Sequence, residues 1–542
     1  MKKRNLLTLS ILSALAFNVT ADTNLIVKPI GEYANGVDIG GGYKRVTIDT
    51  DNAQVAVMAL KNSGLFTSVE LDTVVSKPRT LPKKTARTTR KIPSVSAQIA
   101  GPTDDPYFNL QEYLKSSSVY INGTNLQEAA EYLKEVTDSS GDNVRVLVVD
   151  GDFYENQEIP YAGGYSFVKT GLDGTGFTNP NFYASAPAGQ CSDEHGTSVA
   201  SIYGAIRDNG SSIAGAAPNI AVVAAEALVC NDGFISDVVS AMYWGMGEKV
   251  GEAVNIPTPV NVINLSLGAE FDTCSSAFQN AINLAKSRGI QVHVSAGNAS
   301  IDASGNTPSN CENVMVTGAL NKGADSLADF TNTGDTVDIY AQGVDILGLD
   351  AVEGSVSTWS GTSFSVPLTG ATGALLKSFY PAITPEQVYW FIGQGSRILS
   401  ESPTCFSGNC EKGQLDALAA ATRAHSYFTQ ENTTIKPVLA AGEACLSGYV
   451  GTYFAEKKRL CGLFEVSFES QTDKNGITYQ LHATPIAGGD AFVVVETPEI
   501  SVITRDIDLQ NFSYSYSVCT NGDCVASPLN FAVDTTTPVE CQ

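Results

Sequence analysis

The stretch Ser360-Gly361-Thr362-Ser363-Phe364-Ser365-Val366-Pro367 leads into an apolar run from Leu368 to Phe379, and the rest of the chain is read outward from it. Phe364, Leu368, Ala371, Leu375 and Leu376 follow helical spacing. The pattern predicts a helix over Pro367–Phe379, with Pro367 near the first turn, where a missing N–H costs little. The small Gly361 and Thr362 let a substrate approach the Ser363 hydroxyl. A helix N-terminus carries unpaired N–H groups and partial positive charge, which favours an oxyanion forming beside that hydroxyl. Ser363 is thus a candidate nucleophile. The same small residues also make a plain helix cap, so other stretches must decide.

Three do. Val144-Arg145-Val146-Leu147-Val148-Val149-Asp150 reads as a buried strand ending in a carboxylate. Asp193-Glu194-His195-Gly196-Thr197-Ser198-Val199-Ala200 opens a small-residue helix with a histidine. Val292-His293-Val294-Ser295-Ala296-Gly297-Asn298 is a strand ending in a side-chain amide. A serine nucleophile needs a base, the base needs a carboxylate to hold its tautomer, and the oxyanion needs a fixed donor. Asp150, His195, Ser363 and Asn298 supply all four parts, in the chain order Asp, His, Ser.

On these residues the chain resembles the subtilisin-like serine proteases, the subtilase family, from about Asp104 to Thr422. Gly215-Ala216-Ala217-Pro218, Val262-Ile263-Asn264-Leu265-Ser266-Leu267-Gly268 and Gly413-Gln414-Leu415-Asp416-Ala417 resemble non-catalytic blocks of that family. The resemblance implies Asp150 and His195 as triad members, Ser363 as nucleophile and Asn298 in the oxyanion hole. It also implies that Ser266, Leu267, Gly268 and Ser295, Ala296, Gly297 wall the pocket for the side chain before the cut bond. These walls are small and uncharged, so cleavage after Phe, Leu, Tyr or Met is expected. Gly151 and Asp152 depart from the family's usual Ser or Thr and then Gly. Asp152 is an alternative acid; register favours Asp150 and leaves Asp152 as a supporting or solvent-facing carboxylate. Ser198 stands where many relatives have a second histidine, and no catalytic consequence is expected. A rival class is a secreted binding protein on an inert protease fold.

Lys2, Lys3 and Arg4 before the apolar Leu6–Phe17, with small residues ending at Ala21, predict a secretory signal over residues 1–21. No later stretch reaches the ~20 apolar residues of a membrane span. Secretion, or periplasmic transit, is therefore expected. Residues 22–100 read as an α+β propeptide with a basic linker: a helix over Asn52–Ser63 between strands at Arg45–Asp49 and Thr67–Val75. The resemblance implies that it inhibits the enzyme, with self-cleavage between Pro93 and Asp104. Residues 22–93 carry 11 Lys or Arg against 7 Asp or Glu, while the part beyond is about −31 in a chain of net charge −24. Opposite charges favour docking of propeptide on enzyme, and the acidity argues against nucleic acid as a partner. A monomer acting on proteins or peptides is expected.

Residues 101–428 read as an α/β catalytic domain, three-layer α/β/α with a mostly parallel sheet. Predicted strands are Val144–Asp150, Ile220–Ala225, Val260–Ser266, Gln291–Ser295 and Val314–Ala319. Predicted helices are Leu126–Thr137, Gly196–Ile206, Ile235–Gly247, Ser275–Ser287, Pro367–Phe379 and Pro385–Gly393. Such sheets place active sites at strand carboxyl ends, where Asp150 and Asn298 stand. Residues 429–542 lose helical periodicity and read as a C-terminal β-sandwich-like domain, its job open between adhesion, substrate docking and a secretion signal.

His293 lies in an apolar strand and reads as a core residue; His425 and His482 receive no catalytic role. No zinc spacing is present, and no cofactor is needed for the chemistry. The resemblance allows structural calcium, for which the acidic loops Asp173–Asn181 and Asp350–Glu353 offer oxygens, with no ligands assigned. Eleven cysteines in an exported chain imply disulfides. The resemblance points to Cys274–Cys311. Cys405–Cys410 and Cys519–Cys524 are near in sequence, and Cys191–Cys230 and Cys445–Cys461 are further pairings, which leaves Cys541 over.

Overall fold

The computed structural model describes residues 22–50, 52–77, 103–168, 194–352, 355–397, 399 and 413–428, then the segments 434–439, 460–467, 477–485, 490–497, 501–504, 512–520, 523–526, 532–533 and 539–540. The signal at 1–21, the basic residues from Lys83 to Lys91, the loop Asp173–Asn181, and Cys191, Cys405, Cys410 and Cys445 lie outside them. The chain divides into two compact units, residues 1–418 and 419–542.

In the first unit, β1 (Asp22–Pro29), β2 (Val37–Gly40), β3 (Tyr43–Asp49) and β4 (Phe66–Leu71) form an antiparallel sheet in the order β2-β3-β1-β4, with α1 (Ala53–Asn62). Asn52 caps that helix by accepting from Val55 N–H at 3.1 Å. Leu25, Val27, Val46, Ile48, Ala56, Leu60, Phe66 and Val69 give this module its own apolar core. The single strand expected over Thr67–Val75 is two. It breaks after Leu71, because the Asp72 carboxylate is held by Arg45 at 3.0 Å and by Ser236 of a different layer. The chain then re-enters as β5 (Val74–Ser76), an edge strand of the central sheet.

That central sheet is built from β6 (Val144–Gly151), β7 (Gly164–Ser166), β8 (Ile220–Val229), β9 (Asp232–Phe234), β10 (Val262–Leu265), β12 (Gln291–Ser295), β14 (Met315–Leu320) and β15 (Ile339–Gln342) besides β5; β11 (Ala269–Glu270) and β13 (Asn306–Thr307) pair separately. Its path is β15-β14-β12-β10-β6-β8-β9-β5, parallel except at β9 and β5, with β7 beside β8. The inner strands are buried throughout, as parallel strands covered on both faces must be. The helices are α2 (Leu126–Thr137), α3 (His195–Gly204), α4 (Ile235–Gly245), α5 (Ser276–Ser287), α6 (Thr362–Phe379), α7 (Pro385–Gly395) and α8 (Ala417–Phe428), and a hairpin of β16 (Ile346–Leu349) and β17 (Val356–Trp359) precedes α6. The three-layer α/β/α reading holds.

One apolar cluster joins Ile26, Ile39, Tyr43 and Val75 of the N-terminal module to Val238, Met242 and Tyr243 of α4. Gly40 and Gly41 have positive φ, and a Cβ on Gly41 would lie 2.2 Å from the Tyr243 ring, so the turn lies flat on the helix only as glycine. In the second unit, two sheets are described, one containing Thr434–Leu439 and Leu460–Ser467, the other Ile477–Pro485, Phe492–Thr497, Phe512–Thr520 and Asp523–Ala526. Cys274–Cys311 and Cys519–Cys524 are bonded. Cys230 is disulfide-bonded too, and its expected partner Cys191 is outside the described residues.

Candidate active site

Asp150 is the penultimate residue of β6, and His195 is the first residue of α3. Glycines let these two ends touch: a Cβ on Gly196 would sit 2.3 Å from the Gly151 carbonyl oxygen. The His195 Nδ1–H therefore reaches both Asp150 oxygens, each at 2.9 Å, with both side chains buried. Gly151 N–H donates to Asp150 Oδ1 at 2.8 Å and fixes the carboxylate plane. This arrangement holds the proton on Nδ1 and leaves Nε2 as the basic nitrogen.

Helix α6 starts at Thr362, earlier than the Pro367 expected from the sequence. Ser363 thus stands inside the first turn, and Pro367 is interior. A proline has no N–H for the carbonyl four residues back, which here belongs to Ser363. The gap is filled from β10's end: Ser266 Oγ–H donates to the Ser363 carbonyl at 3.0 Å, and Asn264 Nδ2–H donates to Ser266 Oγ at 3.0 Å. Tyr203 of α3 completes the chain by donating to Asn264 Oδ1 at 3.1 Å. The histidine helix and the nucleophile helix are thereby linked through one buried polar chain. The signal was legible, a proline four residues after the serine, but its partner was not.

The His195 ring packs edge-on against Phe364, centroids 5.2 Å apart, so the imidazole lies beside the turn that carries Ser363. The Ser363 hydroxyl donates to the Ser266 carbonyl at 3.3 Å; proton transfer requires it to turn toward His195, as catalytic hydrogen bonds often form only with substrate present. Asn298 Oδ1 accepts from Thr362 N–H at 2.9 Å and from Thr362 Oγ1 at 2.8 Å. Because the Thr362 N–H can only donate, Asn298 must present its oxygen there. The amide NH2 lies on the Gly361 side, 3.0 Å from where a Gly361 Cβ would be.

The two segments expected to wall the pocket touch at one side chain. Ser295 Oγ donates to the Leu267 carbonyl at 3.4 Å. Gly297, at φ +105, turns the chain so that Asn298 faces Thr362, and its N–H donates to Thr362 Oγ1 at 3.3 Å. Gly268 pairs with Ser76 in both directions at 2.9 Å. The surroundings of two further residues come from the fold. Asp152 is buried, not solvent-facing, and holds the Lys77 ammonium. Ser198 is buried with its hydroxyl unpartnered among the described residues, against Gly348. His293 is a core residue, its Nε2 3.1 Å from Gln291 Oε1 and its pKa pushed down by burial to about 3. His425 lies on α8 and His482 in the second unit.

For calcium, Asp350 Oδ2 already accepts from Ser355 at 2.9 Å and Ser357 at 3.0 Å, and Glu353 is outside the described residues. Among the described residues no three metal-ligating side chains cluster, so no ligand set is assigned.

Residues 141–402 match the family model described as the subtilase family. An extracellular protease of Xanthomonas campestris pv. campestris is 33% identical over 308 residues, which span 53% of this chain and 52% of that protein. A thermophilic serine proteinase of Bacillus sp. AK1 is 31% identical over 343 residues, 60% of this chain and 75% of that protein. The chain belongs to the subtilase family. A solved structure of proteases from Pseudoalteromonas arctica has 28% identity and a TM-score of 0.53, covering 60% of this chain and 100% of that one. Subtilases are serine endopeptidases that need no cofactor for catalysis, and the chain spans about half the length of its Xanthomonas relative. No helix among the described residues is long and apolar enough to cross a membrane.

Proposed function

We propose that this subtilase is a secreted endopeptidase that cleaves by acyl transfer from Ser363, with His195 as base and acid and Asp150 as its orienting carboxylate. The observation that carries the reading is the buried His195–Asp150 pair at 2.9 Å, its ring seated on Phe364. His195 takes the Ser363 proton as the oxygen attacks a peptide carbonyl. Asn298 and the Ser363 N–H hold the oxyanion, one such donor being worth roughly 3–4 kcal/mol. His195 then protonates the leaving amine, and water repeats the sequence on the ester. The uncharged walls Ser266–Gly268 and Ser295–Gly297 support an apolar side chain before the cut bond. The charged leader and the extracellular naming of the relatives support export.

In this reading residues 22–100 are an inhibitory propeptide, 101–428 the catalytic domain and 429–542 an accessory domain. Strand Val74–Ser76 lies between β9 and Gly268 along the cleft, where a substrate would lie, which supports inhibition by occupancy. Expression of Ser363→Ala tests the whole: it should accumulate as uncut precursor and lose labelling by a fluorophosphonate probe. Normal processing of that variant would favour the inert-fold rival.

A further inference from the structure

We propose that Asp152 makes the cleft select a basic side chain, Lys or Arg, at the substrate position immediately preceding the one whose carbonyl is attacked. The inference rests on the proteolytic reading above and names a specificity residue within it. Its basis is the way Val74–Lys77 threads the cleft. Val74, Val75 and Ser76 pair antiparallel with Phe234, Gly233 and Asp232. On that same side Lys77 N–H donates to the Asn231 carbonyl at 2.9 Å, and on the opposite side Ser76 exchanges two hydrogen bonds with Gly268. A peptide held between two walls in this way is held as a substrate strand is, by its backbone, leaving side chains to be sorted by pockets.

The register locates each pocket. Ser76 faces Gly268; two residues back along that wall is Ser266, whose carbonyl touches the Ser363 hydroxyl. In an antiparallel match, an occupant residue two positions beyond the one on Gly268 falls opposite Ser266, at the nucleophile. The residue between them is the one in the Lys77 position, and its ammonium sits on Asp152 Oδ2.

Asp152 is fixed for this task. It takes a positive φ of 58°, a left-handed conformation that Asp adopts more readily than most side chains. Thr197 on the histidine helix holds it there, donating to the Asp152 carbonyl at 3.1 Å while accepting from Tyr154 N–H at 2.8 Å. The carboxylate is only 2% exposed with Lys77 in place. A carboxylate so far from water favours a cation beside it. When the propeptide leaves, its ammonium leaves too. A substrate with Lys or Arg at that position restores the pair, whereas Ala does not and Glu adds a like charge. The next pocket, for the side chain before the cut bond, keeps its apolar walls, so the two adjacent positions want opposite chemistry.

The test uses the mature enzyme and internally quenched peptides identical except at this position, with Leu following it. Lys and Arg should exceed Ala by at least ~10-fold in kcat/KM, the scale of one charge-assisted contact, and Glu should fall below Ala. Asp152→Asn should bring the Lys/Ala ratio to within about twofold, and Asp152→Glu should restore a preference for Lys. Equal turnover of Lys and Ala peptides by the wild type overturns the proposal, as does an Asn variant that keeps the wild-type ratio. If the Asn variant does not mature, the wild-type profile decides alone. A wild type that cleaves none of the peptides and does not process itself overturns the proteolytic reading, and this inference with it.

Discussion

Glu70, in the segment proposed as the propeptide, caps α5 of the neighbouring layer. Its Oε1 accepts from Ser275 Oγ and Ala277 N–H, and its Oε2 from Ser276 N–H, all at 3.0 Å. Those are donors at the start of α5, where positive dipole and unpaired N–H groups meet. Ser275 caps the helix from within only at 3.5 Å, so the carboxylate supplies most of the capping. Replacing a cap costs about 0.5–2 kcal/mol, and losing an anion at a helix start costs about 0.3–1 kcal/mol more. Glu70→Ala should therefore weaken propeptide binding by about 2 kcal/mol, which is roughly 30-fold in inhibition constant. The assay is inhibition of mature enzyme by residues 22–77 supplied in trans. General charge attraction predicts the opposite sign, because residues 22–77 carry 5 Lys or Arg against 7 Asp or Glu, so removing an acid lessens their repulsion from a strongly anionic enzyme. The exposed Glu32 provides the control: Glu32→Ala changes net charge equally and should leave inhibition unchanged or slightly tighter. Tighter inhibition by Glu70→Ala, or a loss below threefold, would refute the capping argument.

His293 should make the protein acid-sensitive. Its folded pKa of about 3 lies below the ordinary 6.5, so between these values the unfolded chain binds a proton that the folded chain does not. Stability should fall as pH drops from 6.5 toward 3, by up to ~1.4 kcal/mol per pH unit, with no contribution above 6.5. Urea midpoints of the Ser363→Ala protein at pH 4 to 8 read this slope, and His293→Gln should flatten it. Ser266→Ala should leave the Ser363 carbonyl without a donor, at about 1–3 kcal/mol, and slow fluorophosphonate labelling of Ser363 about tenfold; an unchanged labelling rate would count against the bracing role.

The candidate catalytic residues could be picked out because each sits in a local pattern. Asp150 ends an apolar run, His195 opens a small-residue helix and Asn298 follows a strand, and strand carboxyl ends of a parallel sheet converge on one edge. Periodicity likewise gave the inner strands and the helix Leu126–Thr137 directly. What local pattern could not supply was partnership across the chain. Pro367 read as a first-turn residue whose missing N–H costs little; in the fold the helix starts at Thr362, Pro367 is interior, and Ser266 donates to the Ser363 carbonyl that the proline leaves open. Asp152 stood open between a supporting and a solvent-facing carboxylate, and only the fold set Lys77, 75 residues earlier, against it. Glu70 and Asp72 were two acids in a basic segment until two helix starts met them. Sequence spacing determines which side chains share an element; the environment that gives a buried charge or an orphaned carbonyl its counterpart exists only once distant elements pack.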